Sequence, residues 1–176
     1  MPYTPFTNRI VESLPDFVER KGGERPSVRD FGVKGDLRKL TDATINSSYT
    51  TLTSATAAFT SADVGKVCQV YGAGVAGAVL VTTVTSITSG MEVEVADAAS
   101  TTVTGATCEI ATDDTTLLQS AIDACLSATP SAATAVVGEL YFPDGTYLIS
   151  DTLVVHVMHI IGAGIHTVFG SRNAGF

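Results

Sequence analysis

Between Thr41 and Ile110 the chain runs almost entirely in strand-length segments, "YTTLTSATAAFTSADVGKVCQVYGAG", "GAVLVTTVTSITSG", "MEVEVADAA" and "TTVTGATCEI", separated by Gly, Ser and Asp. No other feature restricts the fold as strongly, because β-branched side chains lose rotamer freedom in a helix and pack well on a pleated surface. Short strands at close spacing, joined by turn residues, predict a small antiparallel β-domain or barrel.

Inside this region Gly72-x-Gly74-x-x-Gly77 matches the opening of a dinucleotide-binding fingerprint. That chemistry needs a helix after the glycines, with its N-terminus facing the phosphates. Here Val79, Val81 and Thr83 alternate with Leu80, Thr82 and Val84, which is strand periodicity. The acidic residue expected about 20 positions on would have to be Glu92 or Glu94, and both alternate with Val93 and Val95 in another strand-like run. The glycines therefore read as a turn of positive φ between two strands, and no cofactor is expected.

"TDDTTLLQSAIDACLSA", Thr112–Ala128, has a different period. Leu118, Ile122, Cys125 and Leu126, with Leu117 and Ala121, form one helical stripe, while Thr112, Asp113 and Asp114 supply a cap and first-turn anions. After it, "GELYFPDGTYLISDTLVVHVMHIIGAG" reads as strand, Pro143-Asp144-Gly145 turn, strand and a further apolar strand. "VRDFGVKGD", Val28–Asp36, reads as a short strand and a turn. Residues 1–27 form an arm in which Ile10, Val11, Leu14, Phe17 and Val18 take helical spacing around Pro15. Such a piece cannot bury its apolar side alone and needs a neighbour.

"VRDFGVKGD", "TDDTTLLQSAID", "GELYFPDGTYLIS" and "IIGAG", in this order, resemble the N-terminal region of the pectate-lyase-like right-handed parallel β-helix superfamily, especially the tailspikes of bacteriophages. The motif residues are Asp30–Asp36, Thr112–Thr115, Phe142–Tyr147 and Ile161–Gly164. In simpler members only a few residues separate the first two motifs. The long segment between them here looks like the small β-domain that many tailspikes insert at this point. The resemblance implies a mainly β fold: a virion-attachment arm (1–27), a first strand of the cap region (28–40), an inserted small antiparallel β-domain (41–111), and a capping α-helix with the first rungs of a right-handed parallel β-helix (112–176). It also implies a homotrimer, and a protein that continues beyond Phe176 to rungs where carbohydrate is bound or cleaved.

Charge and candidate chemistry narrow the function. The net charge is −8, yet eight of the ten Lys and Arg residues precede residue 41. The acidic remainder opposes nucleic-acid binding, which needs basic surface to release counterions. Hydrophobic content of 45% with 16% charged residues excludes a disordered chain. No apolar run reaches the roughly 18 residues of a spanning helix and no signal-peptide pattern opens the chain, so synthesis in the cytoplasm without membrane insertion is expected. Cys68, Cys108 and Cys125 have no Cys-x-x-Cys spacing and read as buried thiols. His156 and His159, an odd number apart, face opposite sides of a strand, and His166 follows the Gly-x-Gly turn, so no metal site is expected. Asp113 and Asp114 could suggest the carboxylate pair of a glycoside hydrolase, but adjacent residues point apart and capping explains both. Asp144 and Asp151 read as turn or surface residues.

The expectation is a structural part of a tailspike, assembled in the host cytoplasm and carried in the virion. It would be held to a tail or baseplate protein through Phe6, Ile10, Leu14 and Phe17. Host surface polysaccharide would be met through a C-terminal part. The competing expectation is part of a polysaccharide-degrading hydrolase or lyase whose catalytic residues lie beyond Phe176.

Overall fold

The structure, a computed structural model, describes residues 26–127, 138–155, 158–163 and 167–171. These pack as two units, one formed by Gly35–Asp113 and the other by the described residues up to Lys34 and from Asp114 onward. The expected arm contacts Phe6, Ile10, Leu14 and Phe17 lie outside the described residues, as do His156, Gly164 and His166.

Gly35–Asp113 contains six strands: β1 (Arg38–Ile45), β2 (Thr51–Thr53), β3 (Val67–Val70), β4 (Leu80–Ser89), β5 (Glu92–Val95) and β6 (Val103–Ala111). They close into a barrel in the order β1-β2-β5-β4-β3-β6, every pairing antiparallel. Closure leaves no sheet edge exposed to pair with another chain. Six strands enclose a narrower space than eight, which only just holds side chains, and the interior is accordingly lined by small residues such as Ala43, Cys68, Val70, Val93 and Cys108, with Leu40, Leu52 and Ile110. The abundance of Ala and Val in these strands thus meets a packing requirement. Between β1 and β6 the register shifts twice, from Leu40↔Cys108 to Ala43↔Ala106 and then to Ile45↔Val103. An extra residue enters first β1 and then β6, where Gly105 takes φ +66°, and such bulges add the twist that closure requires.

The glycine motif is the β3–β4 connection. Val70 pairs with Leu80, Gly72 and Gly77 have φ of +83° and +82°, and only a single 3₁₀ turn, Val75–Gly77, stands between them. Gly74 is there for closeness: a Cβ at this position would lie 2.9 Å from the carbonyl oxygens of both Ala78 and Val79.

The second unit is built around α1 (Thr115–Ser127). Leu118, Ala121, Ile122 and Cys125 are buried at i, i+3, i+4, i+7, the stripe that a 3.6-residue period demands. Against them lie Val28, Val33, Leu140, Phe142 and Tyr147. The strands are β7 (Gly138–Phe142), β8 (Gly145–Ile149), β9 (Met158–Gly162) and β10 (Thr167–Ser171). β7 pairs with β9, and β8 with β10, each in parallel.

Two expectations are corrected. Among the described residues the fold is mainly β with one short helix, and its principal sheet is the closed six-stranded antiparallel barrel. The expected first rungs of a right-handed parallel β-helix are not what is found: the described strands after α1 form two separate two-stranded sheets. Periodicity identifies strands but not their partners, and the partner residues of β7 and β9 are twenty positions apart, as in Gly138↔Met158. Second, Val28–Phe31 is a 3₁₀ turn and not a strand. Ser27 accepts the Arg29 N–H at 3.3 Å and Asp30 accepts the Ser27 N–H at 2.9 Å. This Ser-x-x-Asp capping box starts a helical turn in spite of the β-branched Val28.

Candidate functional site

The polar chemistry of the barrel gathers where its chain begins and ends. Asp36 Oδ1 accepts the Thr112 N–H at 2.8 Å and Oδ2 accepts the Thr112 hydroxyl at 3.0 Å, which ties the two ends of the barrel segment together. Lys66 Nζ lies 3.0 Å from Asp36 Oδ2 and 3.0 Å from Asp63 Oδ1, and Arg38 Nη2 lies 3.3 Å from Asp63 Oδ2. Asp63 also accepts the Thr60 N–H at 3.0 Å, closing a capping box, and the Arg38 guanidinium stands 5.6 Å from the centre of the Phe59 ring. Burial pushes the Asp36 carboxyl up, but the Thr112 N–H, Lys66 and the Thr112 hydroxyl outweigh it and leave its pKa below the ordinary value. Asp63 behaves alike: burial is outweighed by the Thr60 N–H, Lys66 and Arg38. Desolvation opposes the charge of Lys66, and its hydrogen bonds to Asp36 and Asp63 prevail, raising its pKa. All three groups are held in their charged forms.

An open depression of about 440 Å³ on the barrel surface is lined by Asp42, Thr44, Thr53, Ser54, Ala55, Ser89, Met91 and Glu92. Asp42 sits at the β1 bulge, where its carboxylate accepts the Ser54 hydroxyl, the Thr56 hydroxyl at 2.9 Å and the Thr56 N–H at 3.0 Å. The Ser54 bond, with those from Thr56, lowers its pKa despite partial desolvation. Glu94, two residues beyond the lining residue Glu92 on β5, accepts the Thr50 and Thr51 hydroxyls at 2.7 and 2.8 Å, which likewise lower its pKa. A carboxylate stabilised in this way is an acceptor and a poor proton donor, so neither Asp42 nor Glu94 is tuned to act as a general acid.

In the helical unit, Asp114 is fully buried. Its Oδ1 accepts the Lys34 N–H at 2.7 Å, its own N–H donates to the Leu148 carbonyl at 3.0 Å, and its carbonyl receives Leu118 N–H at 2.8 Å to open the helix. Thr112 and Asp113 are half-buried and precede the helix; Thr112 is engaged by Asp36. Asp114, the second carboxylate of the adjacent pair, is thus enclosed and already bonded. Thr115 accepts the Ser150 N–H at 2.7 Å, fixing the first turn of α1 against the end of β8. On the other side of the core, the Tyr147 hydroxyl donates to the Pro143 carbonyl at 2.6 Å, and the ring meets Phe142 edge-on, at 5.6 Å and 85°. The Arg29 guanidinium stands 5.7 Å from that ring and donates to the Val33 and Asp144 carbonyls. Asp144 occupies the β7–β8 turn and Asp151 is exposed, with Oδ1 accepting the Thr152 N–H at 2.7 Å. His159 is exposed on β9.

Cys68, Cys108 and Cys125 are free and buried. Among the described residues no group of three or more His, Cys, Asp and Glu side chains is placed to hold a metal ion, and no helix is long and apolar enough to cross a membrane. Sequence reasoning missed the Asp36–Lys66–Asp63–Arg38 network. The Thr60-x-x-Asp63 capping signature was its one local sign.

The model of a family described as "Rhamnogalacturonase A/epimerase, pectate lyase-like" matches residues 98–174. In this segment the chain is similar to pectate-lyase-like proteins. The match runs from the approach to β6 through α1 and all four later strands, and so includes three of the four motifs that carry the resemblance. No curated protein matches the chain.

Proposed function

We propose that these 176 residues are a structural portion of a protein that recognises host surface polysaccharide, and that this protein is a phage tailspike or receptor-binding protein. The observation that supports the structural role is the commitment of the carboxylates: Asp36, Asp42, Asp63, Glu94 and Asp114 all accept hydrogen bonds from within their own unit. Together with the pectate-lyase-like match over residues 98–174, this fits a spacer that carries a polysaccharide-directed segment. Residues 1–27 attach it to a tail or baseplate protein, with Phe6, Ile10, Leu14 and Phe17 as contacts. The assembly is a homotrimer, built in the host cytoplasm and carried in the virion.

The name of the matching family favours a second reading, in which the chain belongs to a polysaccharide-cleaving hydrolase or lyase. Incubating the chain with host polysaccharide, and measuring new reducing ends and unsaturated sugar, separates the two. Retention of the glycan without cleavage is expected of a structural portion at most, and steady turnover would sink that reading. Particles assembled with residues 1–27 deleted should lack the protein; normal incorporation would remove the attachment role.

A further inference from the structure

We propose that Cys68 and Cys108 form a redox lock across the β3–β6 seam of the barrel. Their Sγ atoms are 3.3 Å apart in the barrel interior. Cys68 faces Ile110 and Val70 faces Cys108 in the β3–β6 register, so the two cysteines are diagonal neighbours on adjacent strands, and both are fully buried. A disulfide needs sulfurs about 2.05 Å apart, so the side chains have to close by little more than an ångström. The third thiol, Cys125, belongs to the core of the other unit, where it donates to the Glu139 carbonyl at 3.9 Å.

The reaction is thiol–disulfide exchange with a small disulfide such as oxidised glutathione. One cysteine loses its proton and attacks the oxidant, releasing one glutathione thiol and leaving a mixed disulfide. The second cysteine, also deprotonated, attacks the protein sulfur of that mixed disulfide and releases the second glutathione thiol. Two protons and two electrons leave the protein and one S–S bond is gained. Because the interior is sealed, exchange proceeds through molecules whose β3–β6 seam has opened, and the product then holds that seam shut. The link encloses β4 and β5 in a loop spanning the 40 positions between the cysteines, a constraint that in the chain-entropy picture shifts the unfolding equilibrium on the order of several hundred-fold.

The test incubates the full chain with oxidised glutathione at sub-denaturing urea, alkylates the remaining thiols after complete denaturation, and maps the digest. A Cys68–Cys108 cross-link with Cys125 alkylated is expected, along with a barrel transition at higher urea that returns to its original position on reduction. The Cys125→Ser chain should behave identically, and Cys108→Ser should show no gain. Full alkylation of both Cys68 and Cys108, a cross-link involving Cys125, or a cross-link that leaves the transition unmoved would overturn the proposal.

Discussion

The barrel is made from one uninterrupted stretch of chain, whereas the helical unit is assembled from pieces on either side of it. In the barrel, β3–β4 and β4–β5 are hairpins of neighbouring strands, β6 closes the ring on β1, and the interior is filled mostly by small side chains. In the helical unit, Val28 and Val33 come from before the barrel and must meet Leu118, Phe142 and Tyr147 from after it, and the sheets are parallel. The lesson is that one unit stands on a closed ring of strands around small side chains and the other on a few large, well-placed ones. Loss of a single aromatic should therefore be felt more in the second.

The sharpest way to break this contrast is Phe142→Ala. Phe142 is 1% exposed, and removing a buried ring of this size costs about 4 kcal/mol. Hydrogen exchange should rise in α1, β7 and β8 and stay unchanged in peptides from β1 to β6; a uniform rise would mean that the two units unfold as one. A smaller loss, in the barrel alone, is expected from Gly74→Ala. The new methyl would press on the Ala78 and Val79 carbonyls and cost roughly 2 kcal/mol by overpacking. An unchanged urea midpoint for the barrel would show that the turn yields freely.

The smallest effect distinguishes the two units by pH. Asp36 and Asp63 have folded-state pKa values below the ordinary carboxylate value, so the unfolded chain binds protons more readily. Their contribution is complete above the unfolded pKa of about 4 and is lost as the pH falls through the lower folded values. Asp36→Asn should cost about 1 kcal/mol at neutral pH, typical of lost hydrogen bonds at a partly exposed site, and should flatten the acid limb of the barrel's stability curve. An acid limb identical to that of the parent would mean that the network does not couple to folding.

What the sequence reveals follows the range of the interaction. The strands of the barrel are legible because Val, Thr and Ile alternate along them, and the hairpin at Gly72–Gly77 because a β-branched run follows where a helix would be needed. The buried face of α1 is legible from Leu118, Ile122 and Cys125. Beyond that range the signal fades: nothing near Asp36 announces Thr112, 76 positions away, and nothing in β7 names β9 as its partner. The Val28 turn was misread for a different reason, since a cap at Ser27 outweighed the preference of a β-branched residue.

Asp36 holds Thr112, and Asp114 holds the backbone of Lys34. The consequence concerns chain entropy. A flexible insertion penalises its host by an amount that grows with its length, but a folded insertion whose ends already touch presents the host with a loop of only a few residues. Between Lys34 and Asp114, a longer, shorter or unrelated domain could take the barrel's place at nearly the same entropic cost, provided that its own first and last residues meet.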